Sequence, residues 1–383
     1  MIPRFKPRYG WAEWKAAFTF WSRGNIPKYE KTFAEKFKCE HGVMFPHGRT
    51  GIFALLKVWA LEKAEVICPA YTCVVVPHAI VLSGNIPVFV DCEEESFNMS
   101  LEGISRAVTE KTRVIIPTHL FGYPMDVHTV QEIAEEASRK YGHKVYVVQD
   151  CAHSFGASWR GDLVTKFGDA AIFGSNVSKL INSIFGGMVI TGEEGLAVKL
   201  REWRKRNLIE KGWRKSIRRA FYFVAVTFAF RPMFYGWVHW LERKGLLNRF
   251  VKYYEEDAID FPTDWNHAPA EIEARVGLVH LRRYDHIVEN RRRLANRLIE
   301  ELSSRDDISI LPFEEGATYS HIVALVKDRN QWVNRYRRKG EQLGILIEYS
   351  VPLIKAYLQY ARGEYTVSES YKGRTINFST ARE

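Results

Sequence analysis

Two side chains in residues 147–187, VVQDCAHSFGASWRGDLVTKFGDAAIFGSNVSKLINSIFGG, have the types and spacing to do chemistry together. Asp150 closes an apolar run that reads as a buried strand. Lys179 follows a second short run and precedes the paired glycines Gly186 and Gly187. A lysine amine condenses with an aldehyde to give a Schiff base, and a carboxylate beside a pyridine nitrogen keeps that nitrogen protonated, so the ring can absorb electrons from a carbanion. Such a pair grips an aromatic aldehyde from two sides, and the cofactor it suits is pyridoxal phosphate (pyridoxal 5'-phosphate). Each residue alone has a plainer use, because strand-end acids often cap helices and loop lysines are ordinarily solvated.

The surroundings of the pair carry a family resemblance. Asp150, Ala152 and His153 resemble the Asp-x-Ala-Gln/His motif of the DegT/DnrJ/EryC1/StrS aminotransferases, within the aspartate aminotransferase superfamily. Residues 173–187 resemble that family's segment from the Schiff-base lysine to a Gly-Gly pair, and the resemblance covers most of the chain. It implies an α/β fold of fold type I: a large domain with a mostly parallel central sheet and a small C-terminal α+β domain. It also implies transfer of an amino group, from glutamate, to the keto carbon of a nucleotide-linked sugar in polysaccharide or glycan biosynthesis; a lipid-linked sugar is the acceptor expected if the chain's basic and aromatic insertion docks on a membrane.

On that resemblance, Lys179 holds the cofactor and moves the proton, Asp150 faces the ring nitrogen, and His153 sits by the cofactor hydroxyl or ring. Thr50, Gly51 and Ser175 cradle the phosphate. Asn266 reaches in from a partner chain, which makes a homodimer with shared active sites the catalytic unit. Four departures stand out. Cys73 occupies the place of a ring-stacking aromatic, with Tyr71 as a nearby substitute. Gly174 stands for a serine, Ile184 and Phe185 for a Gly-Glu dipeptide, and Ala268 for an arginine. Two competing readings are a sugar-dehydratase relative, which Lys179 opposes because those relatives carry histidine there, and a non-catalytic binder of a sugar nucleotide or membrane partner.

The elements that must position these residues follow from pattern. PHGRTGIFALLKVWAL is a glycine-rich turn opening into an apolar helix, and free amides at a helix start favour an anion. Short apolar runs at 65–68, 87–91, 113–119 and 144–150 alternate with helical stretches such as 129–141, which predicts a mostly parallel sheet covered on both faces. Ligands of such sheets sit beyond the carboxyl ends of the strands, where Thr118, His119 and Asp150 fall. No GxGxxG turn follows the first of these runs, which disfavours a dinucleotide enzyme. KYEKTFAEKFKCEHG at 28–42 carries helical spacing that reads as a packing helix. From residue 261 a long amphipathic helix precedes ISILPF, YSHIVALVKD and GILIEYSVPL, read as the small domain. The division predicted is 1–205 for the cofactor domain, 206–260 for an insertion and 261–383 for the small domain.

That insertion is the chain's main irregularity. Residues 201–219 are densely basic, and AFYFVAVTFAFRPMFYGWVHWL at 220–241 is almost wholly apolar and aromatic. Arg231-Pro232 interrupts the run short of the roughly 20 residues a spanning helix needs, so it predicts a helical hairpin. Its aromatics and flanking cations suit either a dimer interface or association with a membrane surface through residues 215–245. The whole chain of 383 residues has a formal charge of +10, and no nucleic-acid motif accompanies it. Its five unclustered cysteines argue against a disulfide framework or a zinc site. The start MIPRFKPRYGW lacks a signal peptide's apolar run, which predicts a cytoplasmic protein, with attachment to the inner membrane face as the alternative.

Overall fold

The apolar runs fold into strands because β-branched and aromatic residues fit a pleated, buried surface, and turns rich in Gly, Pro and Asp end them. The computed structural model describes residues 1–246 and 256–381. Its main sheet contains β1 (His41–Phe45), β2 (Glu65–Pro69), β3 (Ile86–Val90), β4 (Thr112–Ile115) and β5 (Tyr146–Asp150). After the small hairpin of β6 (Ser158–Trp159) and β7 (Asp162–Leu163), β8 (Ala170–Gly174) and β9 (Gly187–Thr191) complete it. The order is β1-β9-β8-β5-β4-β2-β3, with β9 antiparallel to both neighbours and every other pairing parallel.

The pleat sorts side chains between two layers. Val66, Cys68, Val114 and Val148 join one core with α3 (Gly48–Val58), α4 (Val75–Leu82) and α7 (Glu194–Asn207). Ile67, Ile115 and Val147 face the other way, onto α5 (Leu101–Ala107) and α6 (Val127–Tyr141). The carboxylate of Asp126 caps the start of α6 by accepting from the amides of His128 and Thr129, and Gly142 ends it at φ +69°. Further along the same face, Tyr29 and Phe33 of α2 (Asn25–Lys36) pack against Phe173 and the long helix Glu271–Leu302.

The C-terminal part forms a three-stranded antiparallel sheet of β10 (Ile308–Ile310), β11 (Ile322–Val326) and β12 (Thr375–Phe378). GILIEYSVPL supplies no strand to this sheet. Gly344 exchanges a single pair of 2.8 Å backbone bonds with Asn377, and the chain then turns away toward the main sheet. The edge of the small sheet is β12 instead. Residues 1–4 also join this part of the molecule: the Ile2 amide donates to the carbonyl of Gly340, and the Gln342 amide and Ser379 hydroxyl donate to the carbonyls of Ile2 and Pro3.

The insertion folds as a helical hairpin of α8 (Gly212–Ala229) and α9 (Pro232–Arg243). Arg231 is extended and Pro232 opens α9, as the missing N–H of proline dictates. Among the described residues no helix is long and apolar enough to cross a membrane.

Candidate active site

The carboxyl ends of β1, β2, β4, β5 and β8 converge on a cavity of about 280 Å³. Its wall includes His47, Gly48, Arg49, Thr72, Cys73, Thr118, Asp150, Ala152, His153, Gly174, Asn176, Ser178, Lys179, Phe185 and Gly186, with His321, Leu346 and Ile347 from the small domain.

Lys179 lies in the loop joining antiparallel β8 and β9. Asn182 organises that loop: its side chain donates to the carbonyl of Val177 and accepts from the amide of Ile184 and the hydroxyl of Tyr9. At the neck, the Ser175 amide donates to the carbonyl of Gly186 at 2.8 Å. Burial draws the Lys179 amine down to about 8, against the pull of Cys73 and Asp150 toward its charged form. A Cβ at Gly187 would lie 2.4 Å from the amide nitrogen of Gly48, so glycine there lets β9 pass directly beneath the start of α3.

Asp150 ends β5 and is buried. Its carboxylate accepts from the Thr118 hydroxyl at 3.1 Å and from the Ala152 amide at 3.0 Å. Burial pushes its pKa up, while the Ala152 amide, Lys179 and Thr118 oppose that rise. A carboxylate has about four lone-pair sites. Two donors leave acceptor capacity on a buried anion at the cavity wall, which a protonated ring nitrogen would fill.

His153 stacks on Phe121, with ring centroids 5.8 Å apart, and its Nδ1 accepts from the Phe121 amide at 3.4 Å. Burial, Lys179 and His321 hold its pKa well below the ordinary range, so the ring is neutral with its proton on Nε2. The centroid of His321 is 4.7 Å from that of His153, and His321 is likewise kept neutral by burial and by Lys179. His321 was not foreseen from the sequence. It precedes β11 in a stretch with no motif around it, and only the docking of the small domain brings it to the cavity.

At the opposite end, His47 caps α3 from an extended backbone, and Gly48 and Arg49 of the first turn face the cavity. Amides at a helix start together with an arginine make an anion cradle. A carboxylate able to face a ring nitrogen, a loop lysine of lowered pKa and an anion cradle line one cavity, and this set of residues fits pyridoxal phosphate.

A sequence profile of the DegT/DnrJ/EryC1/StrS aminotransferase family matches residues 16–233. The chain belongs to that family. Among curated proteins it is 34% identical over 177 residues to GDP-perosamine synthase of Escherichia coli O157:H7, covering 46% of this chain and 47% of that one. It is also 34% identical over 166 residues, 43% of each chain, to UDP-N-acetyl-3-dehydro-alpha-D-glucosamine 3-aminotransferase of Acidithiobacillus ferrooxidans. The chain thus spans about half the length of the curated relatives it matches. Solved structures extend the likeness in fold to almost the whole chain. The sugar aminotransferase CalS13 of Micromonospora echinospora superposes with a TM-score of 0.77 at 19% identity, covering 99% of this chain and 94% of that one. The PLP-form of the putative sugar aminotransferase Spr1654 of Streptococcus pneumoniae gives 0.76 at 17%, covering 98% and 92%.

Of the residues expected at a family active site, Lys179, Asp150 and His153 line the cavity together. Four others do not line it, and each has a physical reason. Thr50 is wholly buried, its hydroxyl donating to the carbonyl of Trp265 at 3.3 Å. Gly51 lies on the sheet-facing side of α3, where a Cβ would come within 2.8 Å of Val189. Ser175 is buried beside the Tyr29 hydroxyl, and its neighbours Gly174 and Asn176 face the cavity in its stead. Asn266 lies outside its own chain's cavity, its carbonyl accepting from the Ile209 amide at 2.7 Å. Tyr71 is no substitute for the stacking aromatic either. It is buried against Phe97 and Tyr371, with its hydroxyl on the carbonyl of Ile347, which leaves Thr72 and Cys73 at the wall.

Proposed function

We propose that this protein is a pyridoxal phosphate-dependent aminotransferase that moves an amino group from an amino-acid donor, glutamate by the resemblance, to the keto carbon of an activated sugar. The observation that carries the reading is Lys179, a buried lysine of lowered pKa sharing one cavity with the strand-end carboxylate of Asp150. The names of the relatives, a GDP-perosamine synthase and an aminotransferase for a UDP-linked keto sugar, support the sugar as acceptor.

The cofactor, when bound, supplies an electron-withdrawing ring that lowers the cost of removing a proton from the substrate carbon. Lys179 is the attachment point, and its Nζ takes and returns that proton. Asp150, steadied by Thr118 and the Ala152 amide, holds the ring nitrogen protonated through a charge-assisted bond. Gly48 and Arg49 hold the phosphate. The neutral His153 donates from Nε2 toward the ring or its hydroxyl.

The catalytic unit is a homodimer in this reading. What supports it is the resemblance, which has Asn266 reach in from a partner chain; within its own chain the loop carrying Asn266 is held beside the start of α3 by a 2.9 Å contact between Asp264 and His47. The exposed aromatics of α8 and α9 support association of the protein with the inner membrane surface.

An absorbance spectrum tests the proposal. With added pyridoxal phosphate the protein acquires a visible band, glutamate shifts it to shorter wavelength, and Lys179→Ala removes it. A protein that stays colourless with the cofactor overturns the enzyme reading in favour of a sugar-nucleotide binder.

A further inference from the structure

The hairpin is apolar on the wrong side. Along α8 the exposed positions are Trp213, Ile217, Phe221 and Phe228, one helical stripe, while the buried positions of the same helix include Lys215 and Arg219. Phe221 is 72% exposed and, on α9, Trp237 is 73% exposed and Met233 81%. A soluble helix ordinarily shows water its charges and hides its rings. The charge around the stripe has one sign, since residues 211–246 hold eight Lys and Arg against one acid. Lys215 and Arg219 are neutralised inside by Glu273 and Asp264, which leaves Arg214, Arg218, Arg231 and Lys244 facing outward. Arg214 lies over Trp213 and Arg231 over Phe228, the pairing of ring and cation found where a protein meets headgroups. Another protein would bring acids or polar groups to such a rim, whereas an anionic bilayer matches both the rings and the cations.

Among the described residues the inner side of the hairpin is hollow. Tyr222, Val226 and Ala229 of α8 and Tyr235 and Val238 of α9 wall a second cavity of about 680 Å³, closed by Phe5 and Ile345. Asn176, Ser178, Phe185, His321 and Leu346 line this cavity and the Lys179 cavity alike, so the two adjoin. Phe185 stands between them with its ring 4.8 Å from that of Tyr222. A sugar diphosphate linked to a nucleoside needs cations and donors along its path. Donors are present toward the Lys179 end, but among the described residues the wall's one Lys or Arg is Arg4, already paired with Glu242 at 3.4 Å, and Glu242 and Glu256 on the same wall would repel a diphosphate. A volume of this size with an apolar lining suits a hydrocarbon.

We propose that the α8–α9 hairpin seats the protein on an anionic bilayer, and that the cavity behind it takes the hydrocarbon of a lipid-linked keto sugar, whose sugar end reaches Lys179. The proposal rests on the aminotransferase reading for the chemistry at Lys179, but docking and lipid capture are separable from it.

Flotation of the full chain with vesicles of mixed phosphatidylglycerol and phosphatidylcholine tests the docking. The protein is expected to float with these vesicles and to lose at least about tenfold in affinity both on pure phosphatidylcholine and in the Phe221→Ser, Trp237→Ser, Trp240→Ser variant. The variant's retained visible band with cofactor shows that it is folded. A farnesyl phosphate bearing an environment-sensitive fluorophore tests the cavity. Binding should be weakened at least about tenfold by Ala229→Trp or Val226→Trp, while Lys179→Ala binds as the parent does, which keeps this outcome distinct from failure of the catalytic reading. The proposal is overturned if anionic vesicles leave the protein behind, if the serine variant turns a dimer into a monomer, or if UDP-glucose displaces the probe as well as unlabelled farnesyl phosphate does.

Discussion

The lysine at the centre of the site is set apart by its protonation. An ordinary lysine is about 0.03% neutral at pH 7, whereas one titrating near 8 is roughly a tenth neutral, and burial brings Lys179 to about 8. Only the neutral amine attacks an aldehyde. Attachment of added cofactor, followed as growth of the visible band, should therefore accelerate with pH and level off above about 8; a midpoint near 10.5 would mean a solvated amine. Lys179, Asp150 and His153 were legible in the sequence because they lie close together in the chain, at the ends of the paired strands β5 and β8 and in the loops that follow them. The turn opening α3 was legible as a helix start but not as a rotation. Gly48 and Arg49 face the cavity while Thr50 and Gly51 face the protein, and packing of α3 on β9 decides which. His321 comes from beyond the long helix, and nothing local announces it.

At the scale of elements, the hairpin is tied to the Lys179 cavity by a chain of polar contacts. Arg219 of α8 bonds Glu273 at the start of the long helix at 2.7 Å and Asp264 at 2.8 Å, and Asp264 in turn meets His47 at the cavity wall. Burial alone would raise the Asp264 carboxyl, but His47 and Arg219 together pull it far below the ordinary range. Arg219 also lies 3.9 Å from the ring centroid of Phe185, so one guanidinium touches the hairpin, the long helix and the boundary of the cavity. The break at Arg231-Pro232 made the hairpin legible, but its polar anchor was not, because Glu273 and Asp264 lie outside the insertion. Arg219→Met removes the 2.7 Å partner of a fully buried Glu273 and should cost about 3–5 kcal/mol. Lys215, 3.4 Å from Glu273, keeps the loss toward the lower figure. A lowered denaturant midpoint and faster proteolytic cleavage within 212–243 are expected, and an unchanged midpoint would make the ion pairs spectators.

Across the whole molecule, one hydrophobic core runs from α3, α4 and α7 into the small sheet, where Tyr319, Val323 and Ile376 join it. Histidines whose charging the fold opposes are spread through the same body: His119 beside the main sheet and His280 on the long helix are buried, and His47, His153 and His321 are half-buried at the cavity wall. Burial lowers every one of them, His119 to about 4 and His280 to about 3. The unfolded chain protonates its histidines near 6.5, so below that pH it binds protons that the folded chain refuses, and stability falls as pH falls. The slope is about 1.4 kcal/mol per pH unit for each such histidine, at most about 3 kcal/mol for His119 between its unfolded and folded values. Glu314 acts in the opposite sense over part of the window, because burial raises it to about 7 and it keeps its proton in the folded state. Five histidines outweigh it. The urea midpoint should therefore hold steady from pH 8 to 7 and decline increasingly steeply from 6.5 to 4.5. Calorimetry at pH 5 in buffers of different ionisation enthalpy should register uptake of roughly three or more protons per chain on unfolding. A midpoint independent of pH across that range, or no net uptake, would show that these imidazoles are open to water and that the sheets do not enclose them as described.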